Sequence, residues 1–102
     1  MINVIAVISA KPGQREKILG ALRDNLATVR AERGCIEYSP VVDAEFGSFQ
    51  TLLGSDTLMV IEKWQDAAAL EDHAVAPHMV AYAAKVKDLI TSRTVHVLSS
   101  AA

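Results

Sequence analysis

Apolar positions recur along this chain either at the spacing of a β-strand or at the spacing of an α-helix, and each change of spacing marks the start of a new strand or helix. Ile2 to Ser9 is β-branched and almost wholly apolar, as in a buried strand. After the break at Lys11-Pro12-Gly13, apolar residues recur at helical spacing as far as Val29, with charged residues on the other face. This pattern predicts a long amphipathic helix that begins at Gln14 and is capped at its C-terminal end by Gly34.

The middle of the chain predicts two strands separated by a long loop. Cys35 to Val42 has strand character and must lie at an edge or contain a bulge, because Pro40 has no N–H for a ladder. Ala44 to Asp56 has two glycines and mixed polarity, so it predicts a loop with room for a short strand at Phe49 to Leu53. Loops of this length often line a site. Thr57 to Trp64 alternates and predicts the third strand.

The last third of the chain predicts two short helices and a final strand. Asp66 is placed to cap the first helix, and Pro77 interrupts it because proline clashes with the preceding turn. Helical spacing resumes from Met79 to Ile90, and Arg93 to Ser99 predicts a strand. The order β-α-β-β-α-β predicts a single α+β domain over residues 1–102, with a ferredoxin-like antiparallel sheet.

An antiparallel sheet with all its helices on one face leaves the other face uncovered. The strands are apolar at both alternating sets of positions, most clearly from Ile2 to Ser9. A bare second face would be a large exposed apolar patch. We therefore predict a homodimer that closes two sheets face to face, with a pocket between each sheet and its own helices.

Composition and charge exclude several classes of partner. The chain of 102 residues is 51% hydrophobic with a net charge of −2, and its ten basic residues form no stripe, which argues against nucleic acid. Its apolar runs fall far short of the roughly 20 residues of a membrane span. The single cysteine, Cys35, excludes an intramolecular disulfide and favours a cytoplasmic location.

We predict no metal site, since His73 and His78 are separated by Pro77 and are not spaced for one helix face.

Several short motifs are spread over residues 2 to 98. They are Pro12-Gly13, Gly34-Cys35-x-x-Tyr38, Glu62-x-Trp64, Leu70-x-x-His73, Pro77-His78 and the tail from Ser92 to Leu98. Together they resemble the antibiotic biosynthesis monooxygenase family, and most closely its bacterial quinol monooxygenase branch. The resemblance implies a dimeric α/β barrel and, in many members, oxygenation without metal, flavin or haem.

The same motifs mark the family better than the substrate. Relatives include quinol and polyketide oxygenases, haem-degrading enzymes and a sugar-phosphate isomerase. By its spacing from Trp64, His73 occupies the position where haem-degrading relatives carry a tryptophan, and their haem-ligating histidine would fall near Ala83. Haem degradation is therefore disfavoured.

His73 is the first candidate for catalysis. An imidazole titrates near neutral pH, so it can take a proton from a phenolic hydroxyl and later return one. Because His73 follows Leu70 by three positions, both can share a helix face turned toward the cavity. The alternative is a partly buried histidine that only braces the helix end.

Five further residues are candidates for substrate binding: Trp64, His78, Tyr82, Asn3 and Glu62. The indole could stack on a ring or equally belong to the core, and His78 could turn inward or serve at the surface. Tyr82, like Tyr38, offers a phenol but also fits a core position. Asn3 needs hydrogen-bond partners in an apolar strand, and relatives place an asparagine near here in some active sites. Glu62 must be paired if buried, and we expect a salt bridge with Arg93.

These observations predict a cofactor-independent monooxygenase that uses O2 to oxidise a small electron-rich aromatic such as a quinol. Two alternatives stay open on the same fold. One is a non-catalytic, small-molecule-binding stress-response dimer. The other is an isomerase of a small keto compound, with His73 and Glu62 moving the protons.

Overall fold

Four strands form one antiparallel sheet in the computed structural model, which describes all residues from Met1 to Ala102. The elements are β1 (Ile2–Ala10), α1 (Arg15–Arg30), β2 (Cys35–Val41), β3 (Thr57–Trp64), α2 (Ala67–Ala74), α3 (Pro77–Val86) and β4 (Ile90–Leu98), with a 3₁₀ turn at Lys87–Leu89. The strand order is β2-β3-β1-β4, and all neighbours are antiparallel. The ferredoxin-like βαββαβ prediction is confirmed. None of the helices combines the length and apolar character that crossing a bilayer requires.

The hydrophobic core lies between the three helices and one face of the sheet. Because side chains alternate along a strand, Val4, Ala6 and Ile8 of β1 are buried on this face, as is Val60 of β3. The apolar stripe of α1 packs on them through residues such as Leu22, which is 2% exposed. Helix α1 therefore covers part of the inner face of the sheet.

The opposite face of the sheet is apolar at its centre and is covered by no element of the chain. Ile5 and Ile61 are partners across the β1–β3 ladder, and Val7 and Met59 are the next such pair on that face. All four are only half-buried. The prediction of a second apolar face is thus confirmed for the centre of the sheet, whereas Asn3 and Lys63 make one end of this face polar.

Gly34 does not cap α1, as the sequence suggested, because the helix ends at Arg30 with Ala31 in the cap position. Instead Gly34 closes the following turn at φ +79°, and its carbonyl accepts a hydrogen bond from the backbone N–H of Gln65 at 2.8 Å. A Cβ atom here would lie 2.6 Å from the Cβ of Ala69. The absent side chain thus lets the turn pack directly on the start of α2.

The long loop between β2 and β3 contains no strand, so the suggested strand at Phe49 to Leu53 is wrong. Asp43 ties the loop off instead, because its carboxylate accepts hydrogen bonds from the backbone N–H groups of Leu53 and Gly54, each at 2.9 Å. This local closure replaces the ladder hydrogen bonds that a strand would have made.

Two prolines and one aspartate act as the sequence indicated. Pro40 lies in β2, which is an edge strand. The Asp66 carboxylate accepts a hydrogen bond from the backbone N–H of Ala69 at 2.8 Å and caps α2. Pro77 is the first residue of α3, a position at which a backbone N–H has no intrahelical acceptor, so the missing N–H of proline costs no hydrogen bond. α2 and α3 are therefore two separate helices.

Candidate functional site

A cavity of about 660 Å³ lies between the inner face of the sheet and helices α2 and α3. Fifteen of its nineteen lining residues are hydrophobic. Val95 and Val97 of β4 line it but are 41% and 57% exposed, so the cavity opens on the side of this strand. The predicted location of the pocket, between the sheet and its own helices, is confirmed.

Four polar residues line this apolar cavity: Glu62, His73, Lys87 and Arg93. Glu62 pairs with Val4 in the ladder, whereas Arg93 pairs with Ile8, four residues further along β1. At about 3.3 Å per residue, the two rows are roughly 13 Å apart. The two cationic side chains therefore belong to one end of the sheet, and the carboxyl group to the other.

His73 is carried into the cavity wall by α2 and is only 6% exposed. Its ring lies against two aromatic side chains, at 4.6 Å from the Trp64 ring centre and 5.5 Å from that of Tyr38. Its Nδ1 lies 2.9 Å from Oε2 and 3.2 Å from Oε1 of Glu32. Because an ionised carboxylate can only accept, Nδ1–H is the donor. Nε2 has no protein hydrogen-bond partner and is the nitrogen left for a ligand.

Glu32 is the residue of this cluster that sequence reasoning missed. It lies in the turn after α1, 41 positions away from His73, and its side chain is 16% exposed. No periodicity marks a turn residue of this kind, and only the packing of α2 on the turn brings it to the histidine.

His78 lies behind His73 and does not line the cavity, and its contact with substrate stays a prediction. Its Nε2 is 2.5 Å from Oε1 of Glu32, although the oxygen lies off the direction of the ring N–H, so the contact is not an aligned hydrogen bond. The amide nitrogen of Asn25 lies 3.1 Å from its Nδ1. Both histidines thus converge on one carboxylate.

Glu62 and Trp64 form a second buried pair beside His73. The indole Nε1–H of Trp64 donates a hydrogen bond of 2.9 Å to Oε1 of Glu62. Trp64 is 0% exposed and Glu62 is 6% exposed. Burial raises the pKa of the Glu62 carboxyl, while the indole hydrogen bond and the nearby His73 and Arg93 act in the lowering direction. The expected salt bridge to Arg93 is wrong, since no ion pair joins them.

Trp64 does not line the cavity, and its contact with a substrate ring stays a prediction. It is covered on the cavity side by His73 and contributes by holding Glu62 and packing on the imidazole. A strand-end tryptophan with its N–H satisfied inside the core is the usual arrangement for this side chain.

Tyr82 lines the cavity as predicted, and Tyr38 lines it too. The Tyr82 hydroxyl is buried and has no hydrogen-bond partner in the protein. Buried hydroxyls normally have a partner, so this one is available to a ligand. Burial raises the pKa of Tyr82 to about 12 and raises that of Tyr38 further. Both phenols therefore stay neutral donors at physiological pH.

Asn3 is the candidate that the structure separates from the others. In β1 it alternates with Val4, which is buried on the helix side, so Asn3 lies on the uncovered face, paired with Lys63 and Leu98. The structure therefore places it away from the cavity, and its role in substrate binding stays a prediction. No three His, Cys, Asp or Glu side chains are arranged to hold a metal ion.

Comparison with known proteins agrees with this architecture. The family model described as Antibiotic biosynthesis monooxygenase matches residues 1–85. Probable quinol monooxygenase YgiN of Escherichia coli (strain K12) is 39% identical over 101 residues, which are 96% of this chain and 96% of that protein. The crystal structure of PA3566 from Pseudomonas aeruginosa has a TM-score of 0.82 and 31% identity, covering 99% of this chain and 94% of that one.

The structure of Rv0793 from Mycobacterium tuberculosis is a further neighbour, with a TM-score of 0.80 at 28% identity and coverage of 97% of this chain and 93% of that one. The family match spans most of the chain and includes Glu62, Trp64, His73 and His78. The chain therefore belongs to the antibiotic biosynthesis monooxygenase family.

Proposed function

We propose that this protein is a cofactor-independent monooxygenase that uses O2 to oxidise a small electron-rich aromatic such as a quinol. One observation carries the proposal: His73 stands in the wall of an apolar cavity, with Nδ1 bonded to a carboxylate and Nε2 without a protein partner. Family membership and the name of the Escherichia coli relative support the reaction class.

The first steps need only a base and a dry pocket. Nε2 of His73 takes the proton of a substrate hydroxyl, which leaves an electron-rich phenolate and an imidazolium. The phenolate passes one electron to O2, giving a semiquinone radical and superoxide. The two radicals combine at a ring carbon, so that a C–O bond forms and the second oxygen carries the negative charge.

The last steps return the proton and release water. The imidazolium protonates the peroxide, and the resulting hydroperoxide loses the ring hydrogen and its outer oxygen as water, with cleavage of the O–O bond. One oxygen atom stays on the ring, and the substrate supplies all four electrons that reduce O2. His73 ends the cycle neutral, so it acts as both base and acid.

The other cavity residues orient the substrate and exclude water. The unpartnered hydroxyl of Tyr82 is available to a substrate oxygen, and the carboxyl of Glu62 offers a second polar contact on the sheet. The apolar walls keep water from competing for the phenolate and the superoxide. Part of the rate enhancement comes from holding the ring in one orientation relative to His73.

Oxygen uptake by the metal-free purified protein, measured against a panel of reduced quinols and corrected for autoxidation, tests the proposal. We expect protein-dependent uptake, and we expect His73→Ala to lower kcat about 100-fold because a positioned general base contributes roughly that factor or more. Glu71→Ala is the matched control, since Glu71 is exposed on the same helix α2 and does not line the cavity.

Three outcomes would count against the proposal. Full turnover by His73→Ala would remove His73 as the base. Turnover of a keto compound under anaerobic conditions would favour the isomerase, and saturable ligand binding without any oxygen-dependent product would favour a binding protein.

A further inference from the structure

We propose that Glu32 is the positioning residue of His73, because its carboxylate keeps the proton of the neutral imidazole on Nδ1 and leaves the lone pair on Nε2. The effect of Glu32 on turnover rests on the proposed function. Its effect on the imidazole ring does not, and it can be measured without any substrate.

The hydrogen bond between His73 and Glu32 determines which nitrogen of the His73 ring carries the proton. Nδ1 of His73 lies within 3.2 Å of both carboxylate oxygens of Glu32, and the two side chains are 7% and 16% exposed. The hydrogen bond that one ring nitrogen makes decides which nitrogen carries the proton. Free neutral histidine in water favours the proton on Nε2, so Glu32 reverses the preference that the ring would otherwise have.

Glu32 is itself held from the other side by His78. Because the Asn25 amide N–H donates to Nδ1 of His78 at 3.1 Å, the remaining proton of the neutral His78 ring is on Nε2, next to Oε1 of Glu32. The carboxylate thus lies between two histidines carried by α2 and α3. His78 contributes to the site by orienting Glu32.

The arginines near Glu32 in the sequence are bonded to other groups. Arg30 donates two hydrogen bonds to the carbonyl of Tyr38, at 2.9 and 3.2 Å, and Arg33 pairs with Asp72 at 2.9 Å. No salt bridge joins Glu32 to a lysine or arginine. The carboxylate is therefore free to act on the histidines, and it also stabilises the imidazolium that forms during turnover.

Nitrogen-15 NMR of the imidazole rings tests the proposal directly in the intact protein. At a pH where the rings are neutral, we expect His73 to show a protonated Nδ1 and an unprotonated Nε2, and His78 to show the opposite tautomer. A His73 ring with its proton on Nε2 would overturn the proposal whatever the activity of the protein.

Two variants then connect the ring to turnover. In Glu32→Gln the amide can accept from or donate to Nδ1, so we expect mixed tautomers of His73, a fall in kcat of about 10- to 100-fold and little change in KM. Glu71→Gln removes the same charge from an exposed site on α2 and should change neither the tautomer nor kcat.

Chemical rescue separates positioning from a merely structural role. Glu32→Ala leaves a space next to Nδ1, and formate should restore part of its kcat but none of that of His73→Ala. Unchanged kcat in Glu32→Gln together with clear oxygen uptake would overturn the positioning role. The expected tautomers without oxygen uptake on any quinol would keep the Glu32–His73 pair and overturn only the proposed function.

Discussion

The carboxyl group of Glu62 is a polar group in a mostly apolar wall, and one hydrogen bond from Trp64 is its only protein partner. An ionised carboxylate in such a place loses hydration that a single indole N–H does not replace. Burial accordingly raises its pKa above the usual 4.5. The folded protein therefore binds the Glu62 proton more tightly than the unfolded chain does.

Glu62 makes the free energy of unfolding depend on pH in a predictable direction. A raised pKa in the folded state means that the contribution of Glu62 to stability is fully present below pH 4.5 and is lost as pH rises through the folded value. Glu62→Gln cannot lose a proton, and its amide oxygen can still accept from Trp64. The melting temperature of Glu62→Gln should thus rise relative to wild type as pH increases from 4 toward 8, by roughly a few degrees.

Thermal unfolding by circular dichroism across this pH range measures the effect. Glu71→Gln, which is exposed on α2, is the control and should keep a constant difference from wild type. A constant difference for Glu62→Gln as well would show that the folded protein does not raise this pKa.

The residues of the site divide by how their positions are determined. His73, Tyr82 and Glu62 were predicted to reach the cavity and do so, because helical and strand periods decide which face a side chain takes. Asn3 was a candidate because relatives place an asparagine near here, and alternation did not assign it to a face because β1 is apolar at both sets of positions. Glu32 and His78 meet through tertiary packing, which leaves no periodic trace in the sequence.

At the scale of elements, the position of α2 depends on the turn that precedes β2. Gly34 takes φ +79° and lies against Ala69, in the first turn of the helix that carries His73. Strand and helix identities were predictable here from residue patterns, but this contact was not, because it depends on how closely two backbones approach.

Gly34→Ala should destabilise the protein by at least about 1–2 kcal/mol, since a Cβ is unfavourable at positive φ and would lie 2.6 Å from the Cβ of Ala69. Gly20→Ala is the control in α1, where a Cβ meets nothing within 4 Å, and it should stabilise by about 0.5–1 kcal/mol. Urea unfolding of both variants measures the difference. Equal effects of the two substitutions would contradict the role assigned to Gly34.

The order of elements and the antiparallel sheet follow from the sequence, whereas element ends and the β2–β3 loop do not. Helix α1 ends at Arg30 because the turn leading to Gly34 begins there, and Asp43 bonds close the loop without a strand. Side-chain to backbone hydrogen bonds of this kind compete with regular structure and depend on local geometry.

On the scale of the whole molecule, the uncovered sheet face is the feature that one chain does not complete. Ile5 and Ile61 lie at the centre of this face and are half-buried, and Val7 and Met59 form the apolar pair next to them. We propose that a second copy covers it, as the sequence analysis predicted, because apolar patches of this kind mark protein interfaces.

Light scattering coupled to size exclusion tests this assembly. Wild type should have twice the 11.0 kDa mass of the chain, whereas Ile61→Lys should be monomeric because it places a charge at the centre of the face. Val80→Lys is the control, since Val80 is 62% exposed on α3, and it should stay dimeric. A monomeric wild type at micromolar concentration would rule the dimer out.

The break at Pro77 has a consequence for how this site can vary over evolution. In one continuous helix, side chains five positions apart point about 140° away from each other, so residues 73 and 78 could not meet at one carboxylate. The proline starts a new helix and redirects His78 toward Glu32. A substitution that joined α2 and α3 into a longer and locally better helix would separate the two histidines. Selection at position 77 is thus expected to act against the more regular helix, through a residue that never touches a ligand.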